Sequence, residues 1–84
     1  MREVKLDNPI EFDGRKVEKL NIRSPKVKDN IQIQKMQGSD SEKEVAFIAR
    51  LCNVPIELIE ELEMSDYFKL QETLGDFLTK KRKL

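Results

Sequence analysis

The stretch Ser39–Leu78, SDSEKEVAFIARLCNVPIELIEELEMSDYFKLQETLGDFL, decides the fold. Ser39 with Glu42, and Ser41 with Glu44, both have the spacing of a capping box, in which a hydroxyl and a carboxylate satisfy each other's backbone donors. Either launches a helix over about 41–52, with Val45, Ile48, Ala49 and Cys52 inward and Phe47 and Leu51 widening the apolar face. Asn53 tolerates a left-handed C-terminal cap, and Pro55 biases Val54 away from helix. A short helix over about 55–62 then buries Ile56, Ile59 and Leu62. Ser65-Asp66 caps a last helix over about 65–79, whose inner stripe is Tyr67, Leu70, Leu74, Phe77 and Leu78. Gly75 weakens that helix by roughly 1 kcal/mol relative to Ala.

Working outward to the N-terminus, Val4, Leu6, Ile10 and Phe12 all stand at even positions, the period of a half-buried strand. Pro9 lacks an N–H, so the strand lies at an edge or breaks near Asn8-Pro9. Asp13-Gly14 between two alternating runs signals a two-residue hairpin turn with positive φ at both positions. The return strand, RKVEKLNIR, slips phase: Val17 is odd, whereas Leu20 and Ile22 are even. One extra residue near Glu18-Lys19, or an equivalent break, restores both to the inner face. Ser24-Pro25 ends the hairpin (3–23) and suits a helix start; in residues 25–36, Val27 and Ile31 sit four apart as on a helix face and Ile31 and Ile33 two apart as on a strand, so helix, strand and loop stay open and a short helix is favoured. The fold class is α+β: an N-terminal bulged β-hairpin packed on three to four α-helices, as one small domain over 1–79. Residues 80–84, KKRKL, read as a basic flexible tail.

Composition narrows the function. The 84 residues include 38% hydrophobic and 38% charged residues, polar for a self-sufficient monomer, which leaves self-association open as a source of stability. The formal net charge is zero, yet residues 37–78 hold ten acidic residues against three basic ones, Lys43, Arg50 and Lys69. With one cysteine and no histidine, there is no intramolecular disulfide and no thiolate–imidazole zinc set. No apolar run approaches the roughly 20 residues of a membrane span, and no signal-peptide core is present. The reading is therefore of a cytoplasmic protein without metal, cofactor or catalytic residues. There is no glycine-rich phosphate loop, and Cys52 stands on an apolar helix face.

Two binding readings compete. Ala49, Asn53, Val54, Ile59 and Leu62 have the spacing of a helix–turn–helix DNA reader. Its second helix, PIELIEELE, carries four glutamates and no cation, which phosphates would repel. Nucleic acid is thus disfavoured, and a small DNA-binding regulator using this unit and the basic tail stands as the alternative. The other reading starts from surplus apolar side chains: Leu58 and Phe68 fall off the main stripes, with Phe47, Leu51 and Leu78 at their margins. Several such residues on consecutive helices form a patch suited to a protein partner.

A resemblance favours the protein partner. The order of parts is Leu6 to Ile10 (Leu-x-x-Pro-Ile), Gly14, Leu20 to Arg23 (Leu-x-Ile-Arg), Ser24-Pro25, then Asp29. Next come an acidic linker, Ala46 to Cys52 (Ala-x-x-Ala-x-Leu-Cys), Val54-Pro55, the pair Ile59 and Leu62, Ser65-Asp66, and a helix with Leu70 and Phe77. This resembles the small tail assembly chaperones of contractile-tailed, Mu-like phages and prophages. Asn53 stands where that family typically has glycine, and Asn adopts the same backbone. The resemblance implies a non-enzymatic protein that binds the tail tape measure protein during morphogenesis. It would act in the bacterial cytoplasm and be absent from the mature virion, a structural tail subunit being the other reading within tail assembly. It also implies a longer frameshifted form, for which Lys80-Lys81 marks a candidate slippery run.

Overall fold

A computed structural model describes residues 1–79; the tail reading for 80–84 lies outside the described residues. The hairpin is β1 (Arg2–Phe12) and β2 (Arg15–Ile22), and the helices are α1 (Val27–Gln34), α2 (Asp40–Cys52), α3 (Ile56–Glu60) and α4 (Met64–Thr79). The strands pair antiparallel around a turn in which Asp13 and Gly14 have φ of 55° and 80°, the mirror-image geometry expected of Asp-Gly. The inner face of the hairpin presents Val4, Leu6, Leu20 and Ile22. These pack on Ile48, Ala49, Leu51 and Cys52 of α2, Leu58 and Ile59 of α3, and Tyr67, Leu70 and Leu74 of α4.

The phase slip lies where the sequence places it, but the extra residues stand on the other strand. Pairing runs from Arg2↔Ile22 to Lys5↔Lys19 and resumes at Ile10↔Val17, so residues 6–9 of β1 face Glu18 alone. The break falls on β1 for two reasons. Pro9 has no N–H to give, and the Asp7 and Asn8 N–H groups find a better acceptor than β2. That acceptor is Asp66: its Oδ1 accepts from Asp7 N at 2.8 Å and its Oδ2 from Asn8 N at 3.0 Å.

Asp66 therefore does not act as the cap expected of it. Helix α4 begins at Met64, one residue earlier than expected, with Asp66 and Tyr67 N–H both donating to Glu63 O. From there α4 runs antiparallel along β1. Lys69 Nζ donates to Lys5 O at 2.9 Å, and Arg2 meets Asp76 at 3.2 Å with its guanidinium over the Phe77 ring.

Helix α1 is shorter than expected and turned differently. Val27 and Ile31 are exposed, and the buried pair is Asp29 and Ile33. Asp29 fixes this orientation. Its carboxylate takes a two-pronged ion pair from Arg23 (2.8 Å for each oxygen), Arg50 Nε at 2.7 Å and the Lys26 N–H at 2.8 Å. The end of β2, the start of α1 and the middle of α2 thus meet at one buried charge. The Lys26 contact is the reach-back half of a capping box, so the helix starts after Lys26 rather than at Ser24-Pro25.

Helix α2 begins as expected: Glu42 N–H donates to Ser39 Oγ at 3.2 Å, and Ser39 N–H to Glu42 Oε1 at 2.8 Å. It ends on Asn53, which is left-handed (φ 58°, ψ 46°), while Val54 N–H closes on Ala49 O at 3.0 Å. Helix α3 buries Leu58 and Ile59, not the expected Ile56 and Leu62. Ile56 is exposed and Leu62 half-buried.

Candidate protein-binding surface

The five apolar residues singled out in the sequence divide. Leu51 and Leu58 belong to the core, 2% and 6% exposed, and offer no surface to a partner. With one inward face per helix, Leu58 falls off the stripe and Leu51 at its margin. In fact α2 is covered by the hairpin, α1, α3 and α4, and so buries more than one face. Phe47 is half-buried and, with Leu74, Ile33 and Glu44, lines a cleft of about 230 Å³ between α1, α2 and α4. Phe68 and Leu78 are open to solvent, 56% and 58% exposed.

Met64, which the sequence reading passed over, joins them at 58% exposure. Met64, Phe68, Gly75 and Leu78 fall within an arc of about 80° on α4, given 100° per residue. They form one stripe along the solvent side of the helix. Its signal is in the sequence: Met64 stands four residues before Phe68, just outside the expected helix over 65–79. Gly75 sits within the stripe, and a side chain built there meets nothing within 4 Å. Among the described residues, no packing calls for a glycine at this point.

Gln71 falls within the same arc, and the edges of the stripe are polar. Glu44 of α2 accepts from Tyr67 Oη at 2.9 Å and from Gln71 Nε2 at 2.8 Å, holding α2 to α4 beside it. Burial, with Glu44 alongside, raises the Tyr67 pKa, so the phenol stays a donor. Glu72 and Asp76 lie exposed on the other side.

The ionisable groups inside the fold serve its architecture. The Arg23 guanidinium, aided by Arg50 and the Lys26 N–H, holds the Asp29 carboxyl far below the usual range despite its burial. Burial alone would raise the Asp66 pKa, but the Asp7 and Asn8 donors and the Lys69 ammonium outweigh it and lower it. Burial pushes the Cys52 thiol up to about 11, which removes the thiolate a nucleophile needs near neutral pH. Among the described residues, no group of three or more Cys, His, Asp or Glu is placed to hold a metal ion, and no helix is long and apolar enough to cross a membrane.

The geometry thus defines a class: a small α+β domain with a pinned hairpin, a helical body and exposed apolar side chains on its helices. Residues 3–79 match the family of phage tail assembly chaperone proteins, E, or 41 or 14. The match spans nearly the whole chain, and the protein belongs to that family. No curated protein and no solved structure gives a significant match. Family membership supports a role in tail assembly with tail-protein partners, and suggests a non-catalytic one.

Proposed function

We propose that this protein is a non-catalytic tail assembly chaperone that binds the tape measure protein during tail morphogenesis. Membership of the tail chaperone family over residues 3–79 carries the reading. The surface fits the task. Phe68 and Leu78, with Met64 beside them and Phe47 in the neighbouring cleft, offer apolar contact to helical segments that aggregate when left uncovered. Binding takes place in the host cytoplasm, before the tube closes around the tape measure, and the chaperone leaves before the virion matures. A longer frameshifted form sharing these residues would present the same surface.

Co-expression with a tail tape measure protein from the same genome tests the proposal. The expected result is co-purification and a larger soluble fraction of the tape measure protein, both reduced by Phe68→Glu with Leu78→Glu. Failure of the unaltered chain to do either overturns the reading. Mass spectrometry of purified particles separates a chaperone from a structural tail subunit: the chaperone is absent from them, and a stoichiometric presence contradicts this proposal.

A further inference from the structure

The helical body carries a second apolar feature, on the face made by the end of α1, α2 and α3. A cleft of about 310 Å³ has Met36, Val45 and Ile56 among its lining, with Glu42 and Glu60. A smaller one of about 130 Å³ adds Leu62 and Met64 and shares Val45 and Glu60 with the first. Because they share those residues, the two form one groove from Met36 to Met64. Its floor is apolar, and every charged side chain lining it is acidic. A wider depression continues past Met36 and Ile56 to Arg50, whose guanidinium is engaged by Asp29 at 2.7 Å.

We infer that this groove is a docking site for an amphipathic helix whose apolar stripe is flanked by lysine or arginine. Charge complementarity carries the assignment. Glu42 and Glu60 line the groove, and exposed Glu57, Glu61 and Glu63 follow nearby on and after α3. A cationic flank would be attracted there and an acidic one repelled. The floor suits a helix of loosely specified sequence. Met36 and Met64 are unbranched and polarizable, and such side chains repack around different apolar partners. Face-to-face pairing with a second copy would set the same glutamates against one another. The inference deepens the chaperone reading by giving the partner segment its chemistry, and rests on that reading only for which protein supplies the segment.

Two designed peptides test it, each an amphipathic helix of about 18 residues with the same Leu/Ala stripe, one flanked by Lys and one by Glu. They are titrated into the full chain carrying ¹³C-methyl methionine. The Lys-flanked peptide is expected to shift the Met36 and Met64 methyl signals and not that of Met1, which is 85% exposed at the N-terminus. It should bind about tenfold tighter than the Glu-flanked peptide, and added salt should narrow the gap. Ile56→Ser with Met64→Ser should weaken it about tenfold, and Glu60→Lys should reduce the preference for the Lys flank. All three positions are exposed, so the fold tolerates these changes.

Equal binding of the two peptides, or methyl signals that do not move, overturns the inference. So does self-association abolished by the same serine substitutions, which would make a second copy the occupant. The two proposals fail separately. A chain that binds the Lys-flanked peptide in the groove but does not solubilise the tape measure protein keeps the groove and loses the chaperone reading. One that solubilises it with Met36 and Met64 unmoved by the peptide does the reverse.

Discussion

Asp66 shows how much one residue settles. It is fully buried, yet its two oxygens answer two adjacent backbone N–H groups of β1, 59 and 58 positions away in the chain. Those donors would otherwise be left without partners where the ladder breaks. Replacing Asp66 with Asn leaves one oxygen for two donors and turns an NH₂ group toward one of them. Asp66→Asn is expected to lower stability by about 1–3 kcal/mol, measured by urea unfolding. Amide exchange at Asp7 and Asn8 should quicken more than that at Val4 or Leu20. Uniform acceleration across the hairpin would instead mean that the carboxylate does not pin the break. None of this was legible in the sequence, where Ser65-Asp66 has the form of a local cap. The same holds for Asp29, whose partners Arg23 and Arg50 come from other elements. Periodicity and capping rules see a few residues in either direction, and a buried carboxylate declares its role only through distant ones.

At the scale of elements, short-range chemistry was readable and facing was not. The Asp13-Gly14 turn, the Ser39–Glu42 box and the Asn53 cap all follow from neighbours within five residues, and all stand in the structure. The facing of α1 did not follow, because its buried position is held by an ion pair rather than an apolar residue, and Val27 and Ile31 drew the reading to the wrong side. The phase slip of the hairpin was visible, and so was a break near Asn8-Pro9 from the missing N–H of Pro9, but the extra residues were expected on β2, and the buried acceptor that holds them on β1, Asp66, was not legible. The candidate surface divided in the same way. Phe68 was legible from spacing; Leu78, expected on the inner stripe of the last helix, is exposed instead, and Leu51 and Leu58 needed the whole set of neighbours to be placed in the core. Helix α4 supplies a further test. Gly75 lies in mid-helix with open space where its Cβ would stand. Gly75→Ala should therefore stabilise the chain by about 0.5–1 kcal/mol, a rise of several degrees in Tm by circular dichroism. If partner contact is what calls for the glycine, the same change should weaken co-purification with the tape measure protein while stability rises. A loss of stability would mean that α4 packs more closely there than the structure shows.

At the scale of the whole molecule, the two buried carboxylates act as clamps between pieces that the apolar core alone would leave free to shift. Asp66 fastens α4 to the break in β1, and Asp29 fastens the end of β2 and α1 to α2. Both have folded-state pKa values below the ordinary one, Asp29 chiefly through Arg23, and Asp66 through backbone donors that overcome its burial. The unfolded chain therefore takes up protons first as the pH falls. The stability these groups contribute is full above the unfolded pKa of about 4 and declines below it. For Asp29 the loss approaches about 1.4 kcal/mol per pH unit well below the unfolded pKa and amounts to about 1 kcal/mol between pH 4 and pH 3, and Asp66 adds to it in the same direction. Such losses weigh on a domain whose whole stability is about 5–15 kcal/mol. Tm is expected to hold level from pH 7 to about 5 and then fall steeply toward pH 3. Asp29→Asn and Asp66→Asn should each start lower at pH 7 and descend less steeply, because each removes one of the protonations. Added salt should leave the fall largely in place, since buried charges are little screened, whereas a fall driven by exposed ion pairs such as Lys19–Glu3 would already be weak at pH 7 in high salt. A Tm that is flat down to pH 3, or variants with slopes as steep as the parent chain, would show that the clamps open without loss of the fold. The hairpin would then be held by apolar contact and the remaining polar contacts, such as Lys69 with Lys5 O.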